Sequence, residues 1–526
     1  MTKIDRRKLL ASLALSSATW TVSAALAQQP QGQSAPAVPA APAPAPRFTY
    51  EDVTKRARDL AGAALVPPQS LPEPLAKMDA ESWADIRFRP DRAALAGNGA
   101  LFRLQSFHLG AQHRRPVTIN TIRDGIVTPM AYTANLFDYG RNKFEKPLPV
   151  NTGFAGFRLH FPLNDPRQFD EVFAFLGDQF QILGRGQRYG LAAGTLLLPG
   201  AGAQQPFLRE VWIETPESGA ERITFYALVD SEALTAAYRF DLTPGQTTAV
   251  DVRVTLFARK AGVQIGLAPL TSSFFSGEND RRIAGDFRPE LHNSDGLLMN
   301  NGVGEWLWRP LRNPAGIETS SFMDKDPKGF GLAQRDRTFE HYQDLDGAYE
   351  LRPTYWVEPQ GSWGEGLVQL IESPAPDEAT QNISAAFVPK ATPEPNKPMS
   401  FGWRITSGLE MPRLPPLGRA INTYQTQAKA VSVKDPAPPN ARRFIIDFAG
   451  GDLPYFQSEP KALEVVASSS KGRILHSFVV ANPYTKGFRV GVDVQVDPVQ
   501  VVDVRVALNA GGRAITETWT MPWKSE

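Results

Sequence analysis

The segment Phe287–Pro314, FRPELHNSDGLLMNNGVGEWLWRPLRNP, concentrates polar and aromatic side chains in one loop-rich run. Among them are two acids, a histidine, two tryptophans and two arginines: Glu290, Asp295, His292, Trp306, Trp308, Arg309 and Arg312. Aromatic faces pack on the apolar side of a sugar ring, and carboxylates, amides and guanidinium groups bind its hydroxyls. A long loop with two core tryptophans is the alternative, and residue chemistry alone leaves both open.

The sequence around this segment predicts an all-β fold. Between about Arg87 and Phe387, runs such as GFAGFRLHF, REVWIE and RITFYALV alternate apolar and polar residues between turn signals, which is typical of a large antiparallel sandwich. Residues 389–399 are rich in proline and predict a linker between a domain at 47–388 and one at 400–526. The valine alternation from Val490 to Val506 predicts a small immunoglobulin-like sandwich in the second domain.

Two helices are predicted outside these strands. Thr49 is a suitable N-cap for a helix that Pro67-Pro68 ends. A second, short helix is predicted from Asp165 as N-cap to Gly177 as the stop, with a stripe of Phe169, Val172, Phe173 and Leu176.

The N-terminus reads as an export signal. Arg6-Arg7 precede an apolar run that ends in Ala25-Leu26-Ala27, which predicts a signal peptide over residues 1–27 and a periplasmic location. Twin-arginine export and an ordinary secretory signal both remain open. Residues 28–46 repeat Pro and Ala and predict a disordered tether.

Composition excludes several classes of function. The chain has 56 Lys+Arg and 55 Asp+Glu, without the basic stripe that nucleic-acid binding needs. It has no cysteine, and its six histidines lack metal-site spacing, so we expect neither a metal nor a cofactor. No later run is apolar enough to predict stable membrane insertion. A homodimer is a common state for such chains, but no feature marks an interface.

Four motifs, RPELHNSDGL, NGVGEWLWRPL, GFGLAQRDR and YELRPTYWVEPQGSWGEG, closely resemble those of the osmoregulated periplasmic glucan biosynthesis proteins, the OpgG/OpgD (MdoG) type. The resemblance covers residues 48 to about 515. It implies a large galactose-mutarotase-like β-sandwich, a short proline-containing linker and an immunoglobulin-like domain. It also implies that Tyr189, in the glycine-rich block Leu183–Gly194, lies near a glycan groove.

The resemblance raises a question about catalysis. Hydrolytic members act on linear β-1,2-glucan, and their motifs RPExHDSxG and DETxDNI supply an aspartate base and an aspartate acid. Here the two positions hold Asn293 and Gln381, and an amide does not exchange protons near neutral pH. Other residues that resemble groove residues of the family are retained: Glu290, His292, Tyr349, Arg352 and Glu378.

Three hypotheses follow. The protein is a glycoside hydrolase or transglycosylase-like enzyme with Asp295 and Glu378 as replacement acid and base, or a non-catalytic glucan-binding or glucan-shaping factor, or an unrelated β-sandwich scaffold. The first two predict a long groove on the large domain that binds a glucan polysaccharide. Its expected lining is Trp306, Trp308, Arg309, Tyr349, Arg352 and Trp363.

Overall fold

The computed structural model describes residues 47–66, 71–97, 99–150, 152–199, 205–281, 285–410, 417–429, 434, 436–498 and 501–525. The predicted signal peptide, tether and Pro67-Pro68 helix stop lie outside these residues.

The described chain is built almost entirely of strands, which confirms the all-β prediction. Its α-helices are α1 (Tyr50–Ala61), α2 (Glu73–Ala76), α3 (Ala80–Ala84) and α4 (Phe339–Tyr342). The strands of the first half are β1 (Arg87–Phe88), β2 (Arg103–His108), β3 (Thr118–Arg123), β4 (Ile126–Pro129), β5 (Phe137–Asp138), β6 (Phe154–Phe161), β7 (Asp170–Leu176), β8 (Gln179–Ile182), β9 (Ala192–Gly194), β10 (Leu196–Leu197), β11 (Phe207–Glu214), β12 (Ile223–Asp230), β13 (Leu234–Thr243), β14 (Thr248–Ala258) and β15 (Gly266–Ser272). Those of the second half are β16 (Phe274–Ser276), β17 (Leu291–His292), β18 (Gly296–Asn300), β19 (Trp306–Pro310), β20 (Glu318–Lys325), β21 (Gly329–Ala333), β22 (Thr354–Gln360), β23 (Glu365–Glu372), β24 (Ile383–Pro389), β25 (Met399–Gly408), β26 (Arg419–Gln427), β27 (Ala441–Ala449), β28 (Glu464–Ser469), β29 (Arg473–Asn482), β30 (Gly487–Gln495), β31 (Val501–Ala510), β32 (Arg513–Ala514) and β33 (Thr518–Lys524).

Two large sheets form the main sandwich. One has the strand order β2-β6-β7-β8-β9-β15-β24-β23-β20, and the other runs β28-β31-β33-β19-β18-β21-β22-β25-β14-β13-β12-β11-β3-β4. Aromatic side chains from the two sheets meet between them: Phe225 lies with its ring centroid 5.5 Å from that of Phe157 and 5.1 Å from that of Phe173. This apolar layer is the core that holds the two sheets together.

A four-stranded sheet, β26-β27-β30-β29, covers the far end of the second large sheet. Val490, Val492 and Val494 on β30 are buried in one cluster with alternating valines of β31, as the sequence alternation predicts. The Phe444 and Trp519 rings, 5.5 Å apart, join the small sheet to β33. The C-terminal strands therefore form a second, smaller sandwich.

The strand that follows the proline-rich run belongs to the large sheet. β24 ends at Pro389, and β25 then pairs with β14 on one side and β22 on the other. Residues 400–408, which belong to the C-terminal domain in the sequence-based prediction, thus pair with strands of the first sandwich. The division of the chain into two domains, with galactose-mutarotase-like and immunoglobulin-like folds, stays a prediction.

One of the two predicted helices is present. Helix α1 begins after Thr49, whose backbone N–H donates to Asp52 Oδ2 at 2.8 Å. The helix predicted from Asp165 to Gly177 is wrong, because Asp170–Leu176 forms strand β7 between β6 and β8. The cap signals at Asp165 are local, and the aromatic and β-branched run that follows is more stable when it is paired in a sheet.

No helix among the described residues has the length and apolar character needed to cross a membrane.

Candidate functional site

The loop before β18 brings the polar residues of segment 287–295 together. Strand β17 pairs with β16 in a short two-stranded sheet, and this places the His292 ring parallel to Phe274 with centroids 5.3 Å apart. Both residues are buried. The loop is therefore fixed at its centre, and the residues on either side of His292 take defined positions.

His292 is the centre of a buried hydrogen-bond network. Its Nε2 lies 3.0 Å from Glu290 Oε2, and its Nδ1 lies 3.0 Å from Gln334 Oε1 and 3.3 Å from Asp295 Oδ1. Gln334 Nε2 in turn donates to the Tyr342 hydroxyl at 2.8 Å and to the Tyr349 carbonyl at 3.3 Å. The network connects the segment around His292 to α4 and to the turn at Tyr349.

The charged groups in this network shift the pKa values of its members. Burial on its own lowers the pKa of His292, but the hydrogen bond that His292 donates to Glu290 and the charges of Asp295, Glu290 and Glu278 outweigh it and raise this pKa to about 9. Burial, together with the charges of Glu290 and Asp295, raises the pKa of Glu278 to about 8. The imidazole is thus a cation at neutral pH, held among carboxylates.

Arg288 joins three separate loops beside this network. Its guanidinium contacts Asp286 at 2.7 Å, Asp344 at 2.8 Å and Glu378 at 3.1 Å. Glu378 keeps 39% of its side chain exposed, whereas Arg288 is mostly buried. Because one guanidinium holds all three carboxylates, the loops at residues 286, 344 and 378 form one surface.

Tyr349 and Arg352 lie next to this surface. Tyr349 stacks on Tyr342 with ring centroids 5.7 Å apart, and the Arg352 guanidinium lies 5.2 Å from the Tyr349 ring centre. Burial raises the pKa of Tyr349, while the nearby charges of Arg352 and Arg288 lower it and that of Glu378 raises it further. The structure thus brings together Tyr349, Arg352 and Glu378, three of the residues predicted from the sequence.

Asn293 and Asn382, the neighbour of Gln381, both bond to one dipeptide, Ser273–Phe274. Asn293 donates from its backbone N–H to the Ser273 carbonyl at 2.9 Å and from Nδ2 to Ser273 Oγ at 2.7 Å. Asn382, which follows the exposed Gln381, accepts from the Phe274 N–H and donates to its carbonyl, both at 2.9 Å. Residues almost ninety positions apart are therefore anchored side by side, and Asn293 Oδ1 has no hydrogen-bond partner among the residues that the structure describes.

The structure corrects the predicted role of Trp308 as groove lining. Because side chains alternate along a strand, Trp306 and Trp308 lie on the same face of β19. This face packs toward the C-terminal sandwich. Trp308 is buried beneath the Arg335 guanidinium, 3.5 Å from its ring centre, while Trp306 is partly exposed and stacks on Trp356 at 5.6 Å. These rings join the strands around β19 to those of the C-terminal sandwich.

Trp363 and Arg309 are also core residues, which corrects their predicted contact with glucan. The Trp363 ring packs at 5.3 Å from Phe387 and at 6.1 Å from Trp403 in the main sandwich. Arg309 is buried and pairs with the equally buried Glu372 at 2.6 Å. A buried charge needs such a partner, so Arg309 serves the fold.

The two proposed replacement carboxylates differ in their surroundings. The Asp295 carboxylate accepts the backbone N–H groups of Arg335 and Asp336 and lies beside His292, and burial raises its pKa. These contacts leave it inside the buried network, so the structure gives no support to Asp295 as an acid or base. Of the two carboxylates, that of Glu378 is the one accessible to solvent.

Three residues of the site are not among those that the sequence singled out. Arg288 and Gln334 both lie inside quoted motifs, RPELHNSDGL and GFGLAQRDR, so their position in the motif was an available signal. Glu278 had no such signal. Its carboxylate accepts the Thr423 N–H at 3.0 Å, a contact between residues 145 positions apart.

One group near His292 has the composition of a cation site. Ligand atoms of Glu290, Asp336 and His341 lie within 4.8 Å of one another. His341 already bonds to Asp336, and Glu290 bonds to His292, so these atoms satisfy one another within the network. The expectation that the protein uses no metal stays a prediction.

The match to one protein family extends over residues 48–523 and so includes the β-sandwich and the polar cluster described above. The chain belongs to the family described as "Periplasmic glucan biosynthesis protein, MdoG". It is 39% identical over 480 residues to "Glucans biosynthesis protein G" of Ralstonia nicotianae, covering 90% of this chain and 95% of that protein. The protein of the same name in Pseudomonas paraeruginosa is 38% identical over 489 residues, with 91% and 93% covered. "Probable glucans biosynthesis protein D" of Shewanella oneidensis is 37% identical over 484 residues, with 90% and 88% covered.

Proposed function

We propose that this protein binds a β-1,2-linked glucan chain in the periplasm, in a groove of the main sandwich centred on Arg288, Tyr349, Arg352 and Glu378. The observation that carries the proposal is the double contact between the two segments with altered catalytic motifs. They meet through the Arg288–Glu378 ion pair and again on Ser273–Phe274. Because these contacts hold the two halves of the site together, we infer that their relative geometry serves its function.

The chemistry of the site favours binding over hydrolysis. Asn293 and Gln381 hold hydroxyls or water through hydrogen bonds, but neither transfers a proton. Arg352, Arg288 and the amides provide donors for sugar hydroxyls, and the buried Tyr349 ring packs against the Arg352 guanidinium and positions it. The non-catalytic glucan-binding or glucan-shaping role is therefore our first candidate.

Glu378 supports a second candidate, a glycoside hydrolase or transglycosylase-like enzyme. Its carboxylate is partly exposed and lies three residues from Gln381, within reach of the same groove. One carboxylate supplies an acid or a base but not both, so this route needs a second group from the substrate or from ordered water.

The experiment combines calorimetric binding of linear β-1,2-glucan oligosaccharides with an assay for released reducing ends. We expect the unmodified protein to bind without measurable cleavage, and Arg288→Ala and Arg352→Ala to weaken binding roughly tenfold or more. Arg513→Ala is the matched control, because Arg513 forms an exposed ion pair with Asp452 on a C-terminal turn. Release of reducing ends by the unmodified protein that is lost in Glu378→Gln would favour the enzyme instead. Equal affinity in the unmodified protein and in Arg288→Ala, Arg352→Ala and Arg513→Ala would refute the groove.

A further inference from the structure

The four-stranded sheet β26-β27-β30-β29 has one face in the core of the C-terminal sandwich and one face directed away from it. The core face is formed by alternate residues of β27 and β30: Phe444, Ile446, Val490 and Val492. Because side chains alternate along a strand, the residues between them project from the opposite, outward face. The strand register places four of these in one row across the sheet: Tyr424, Ile445, Gly491 and Phe478. The outward face therefore has an aromatic ring at each end of its central row.

Both rings of this row are partly exposed. The Phe478 ring extends over the neighbouring strand, because a Cβ at Gly491 would lie only 2.2 Å from two of its ring carbons. The glycine thus leaves the space in which this ring lies. At the other end of the row, the Tyr424 ring centre lies 6.0 Å from the Arg489 guanidinium. Partly exposed rings held in this way can pack on the apolar side of a sugar ring.

Two arginine–aspartate pairs flank the central row, one on each side. Arg443 donates from Nε and Nη2 to the two carboxylate oxygens of Asp493 at 2.6 and 2.7 Å. Arg489 donates in the same way to Asp447, with both distances 2.7 Å. Each bidentate pair fixes its guanidinium and cancels its charge. No described residue accepts a hydrogen bond from Nη1 of either arginine, so both offer a donor to a neutral ligand.

The composition of the outward face is that of a binding surface. None of its residues in the paired register is lysine or glutamate. Aromatic and arginine side chains take their place, and the His476 ring lies 5.8 Å from that of Phe478. Binding surfaces are enriched in aromatic residues and arginine and depleted in lysine and glutamate.

The size of this face favours a saccharide chain over a protein partner. Its three central rows extend over three strand spacings, about 14 Å, and over four residues along the strands, again about 14 Å. The resulting area of about 200 Å² is well below the roughly 800 Å² that each partner buries in a stable protein interface. Because the two ion pairs carry no net charge, the face also gives no attraction for a polyanion. A neutral chain that lies across the strands fits both properties.

We propose that this outward face is a second saccharide-binding site, which takes a neutral glucan chain across the strands of the C-terminal sheet. Sugar rings pack on Tyr424 and Phe478, and sugar hydroxyls accept from Nη1 of Arg443 and Arg489. The glucan identity of the ligand rests on the proposed function, whereas the saccharide class is argued from this face alone.

The test uses the full chain with its first site weakened by Arg288→Ala and Arg352→Ala. Calorimetry then measures the affinity for linear β-1,2-glucan, laminarin and cello-oligosaccharides, each as a separate ligand. We expect β-1,2-glucan to bind, and Phe478→Ala to weaken this binding about tenfold or more. Gly491→Ala should have a similar effect, because its methyl group displaces the Phe478 ring. Tyr424→Phe, which keeps the ring, should bind as before.

Controls separate this site from the first one and from a protein interface. Tyr455→Ala removes an exposed ring from the turn at 453–456, outside the four strands, and should leave the affinity unchanged. Unchanged midpoints of urea unfolding show that each variant is folded. Laminarin or cello-oligosaccharides that bind through Phe478, while β-1,2-glucan binds to neither the unmodified protein nor the variant, would overturn the proposed function and retain this site.

Three results would overturn the second site. The first is that none of the three glucans binds to the protein with the weakened first site. The second is an affinity that neither Phe478→Ala nor Gly491→Ala changes. The third is self-association in analytical ultracentrifugation that Phe478→Ala abolishes, because the face would then bind a second copy of the chain.

Discussion

Asn293 is isosteric with aspartate, and the exposed Gln381 is longer by one methylene, so the proposed groove should accept an aspartate at both positions. The Ser273 hydroxyl that now accepts from Asn293 Nδ2 rotates readily to donate to a carboxylate. We expect Asn293→Asp with Gln381→Asp to create hydrolysis of linear β-1,2-glucan, because each proton-transfer group contributes about 10²–10⁴-fold. Release of reducing ends measures it.

Its control is Asn135→Asp with Gln427→Asp, which changes the net charge equally at exposed positions outside the groove. Activity in the control, or none in the double aspartate variant despite unchanged glucan binding, would contradict the assignment of these two positions.

His292 and Glu278 both hold protons more tightly in the folded protein than in the unfolded chain. The stability that His292 contributes is complete below pH 6.5 and is lost as pH rises through about 9, and that of Glu278 declines between pH 4.5 and about 8. We expect the free energy of unfolding to fall from pH 6.5 to pH 9, by up to about 1.4 kcal/mol per pH unit for each proton.

Urea denaturation at several pH values measures this slope. Glu278→Gln keeps an acceptor for the Thr423 N–H and removes one titrating group, so its slope should be shallower. Glu464→Gln, an exposed acid on β28, should leave the slope unchanged. A slope identical in all three proteins would refute the role of Glu278.

Among the elements, the turn after β21 joins the main sandwich to the C-terminal strands. Arg335 donates to Glu517 at 2.6 and 3.0 Å and to the Ala420 carbonyl at 2.9 Å, and it covers Trp308. Arg335→Met should lower the free energy of unfolding by about 3–5 kcal/mol, because it removes the cation that pairs with the buried Glu517 carboxylate and leaves only the Ala420 N–H as its partner.

Adding Glu517→Leu should recover much of this loss, since the pair is then replaced by apolar side chains. Arg505→Met is the matched control, because its pair with Glu305 is partly exposed and should cost less than about 1 kcal/mol. A similar loss for both arginines would show that burial of the pair does not decide its contribution.

The strands also show which features of the fold could be predicted from the sequence and which could not. The valine alternation on β30 and β31 was readable, because a buried valine recurs at every second position in both strands. The strand at Asp170–Leu176 could not be predicted from the sequence, since its partners β6 and β8 are known only from the fold. Trp308 was ambiguous for a related reason: β19 is covered on both faces, and a sequence does not say which face meets a groove.

For the whole molecule, the family and the all-β class were predictable because motifs and period-two patterns extend along the chain. The contact of Glu278 with Thr423 was not, because the two residues lie 145 positions apart in segments that local patterns treat as unrelated. Convergence in space is a property of the tertiary structure.

The second large sheet predicts how the folded protein unfolds. Its strands include β31 and β33 of the C-terminal sandwich as well as β11–β14 of the main one. We expect a single calorimetric transition with equal van't Hoff and calorimetric enthalpies, because neither sandwich is complete without the shared sheet. Two resolved transitions would show instead that the C-terminal strands unfold independently.

The pairing of β19 with β33 has a further consequence during synthesis. Leu307 lies beside Thr518 in this parallel pair, and the Thr518 hydroxyl donates to Glu305 from 213 positions away. A ribosome that has made β19 must translate some two hundred more codons before its neighbour exists. Until then the nascent chain presents an open strand edge, which invites pairing with other chains. We therefore expect slow translation of the C-terminal region to increase aggregation of this protein.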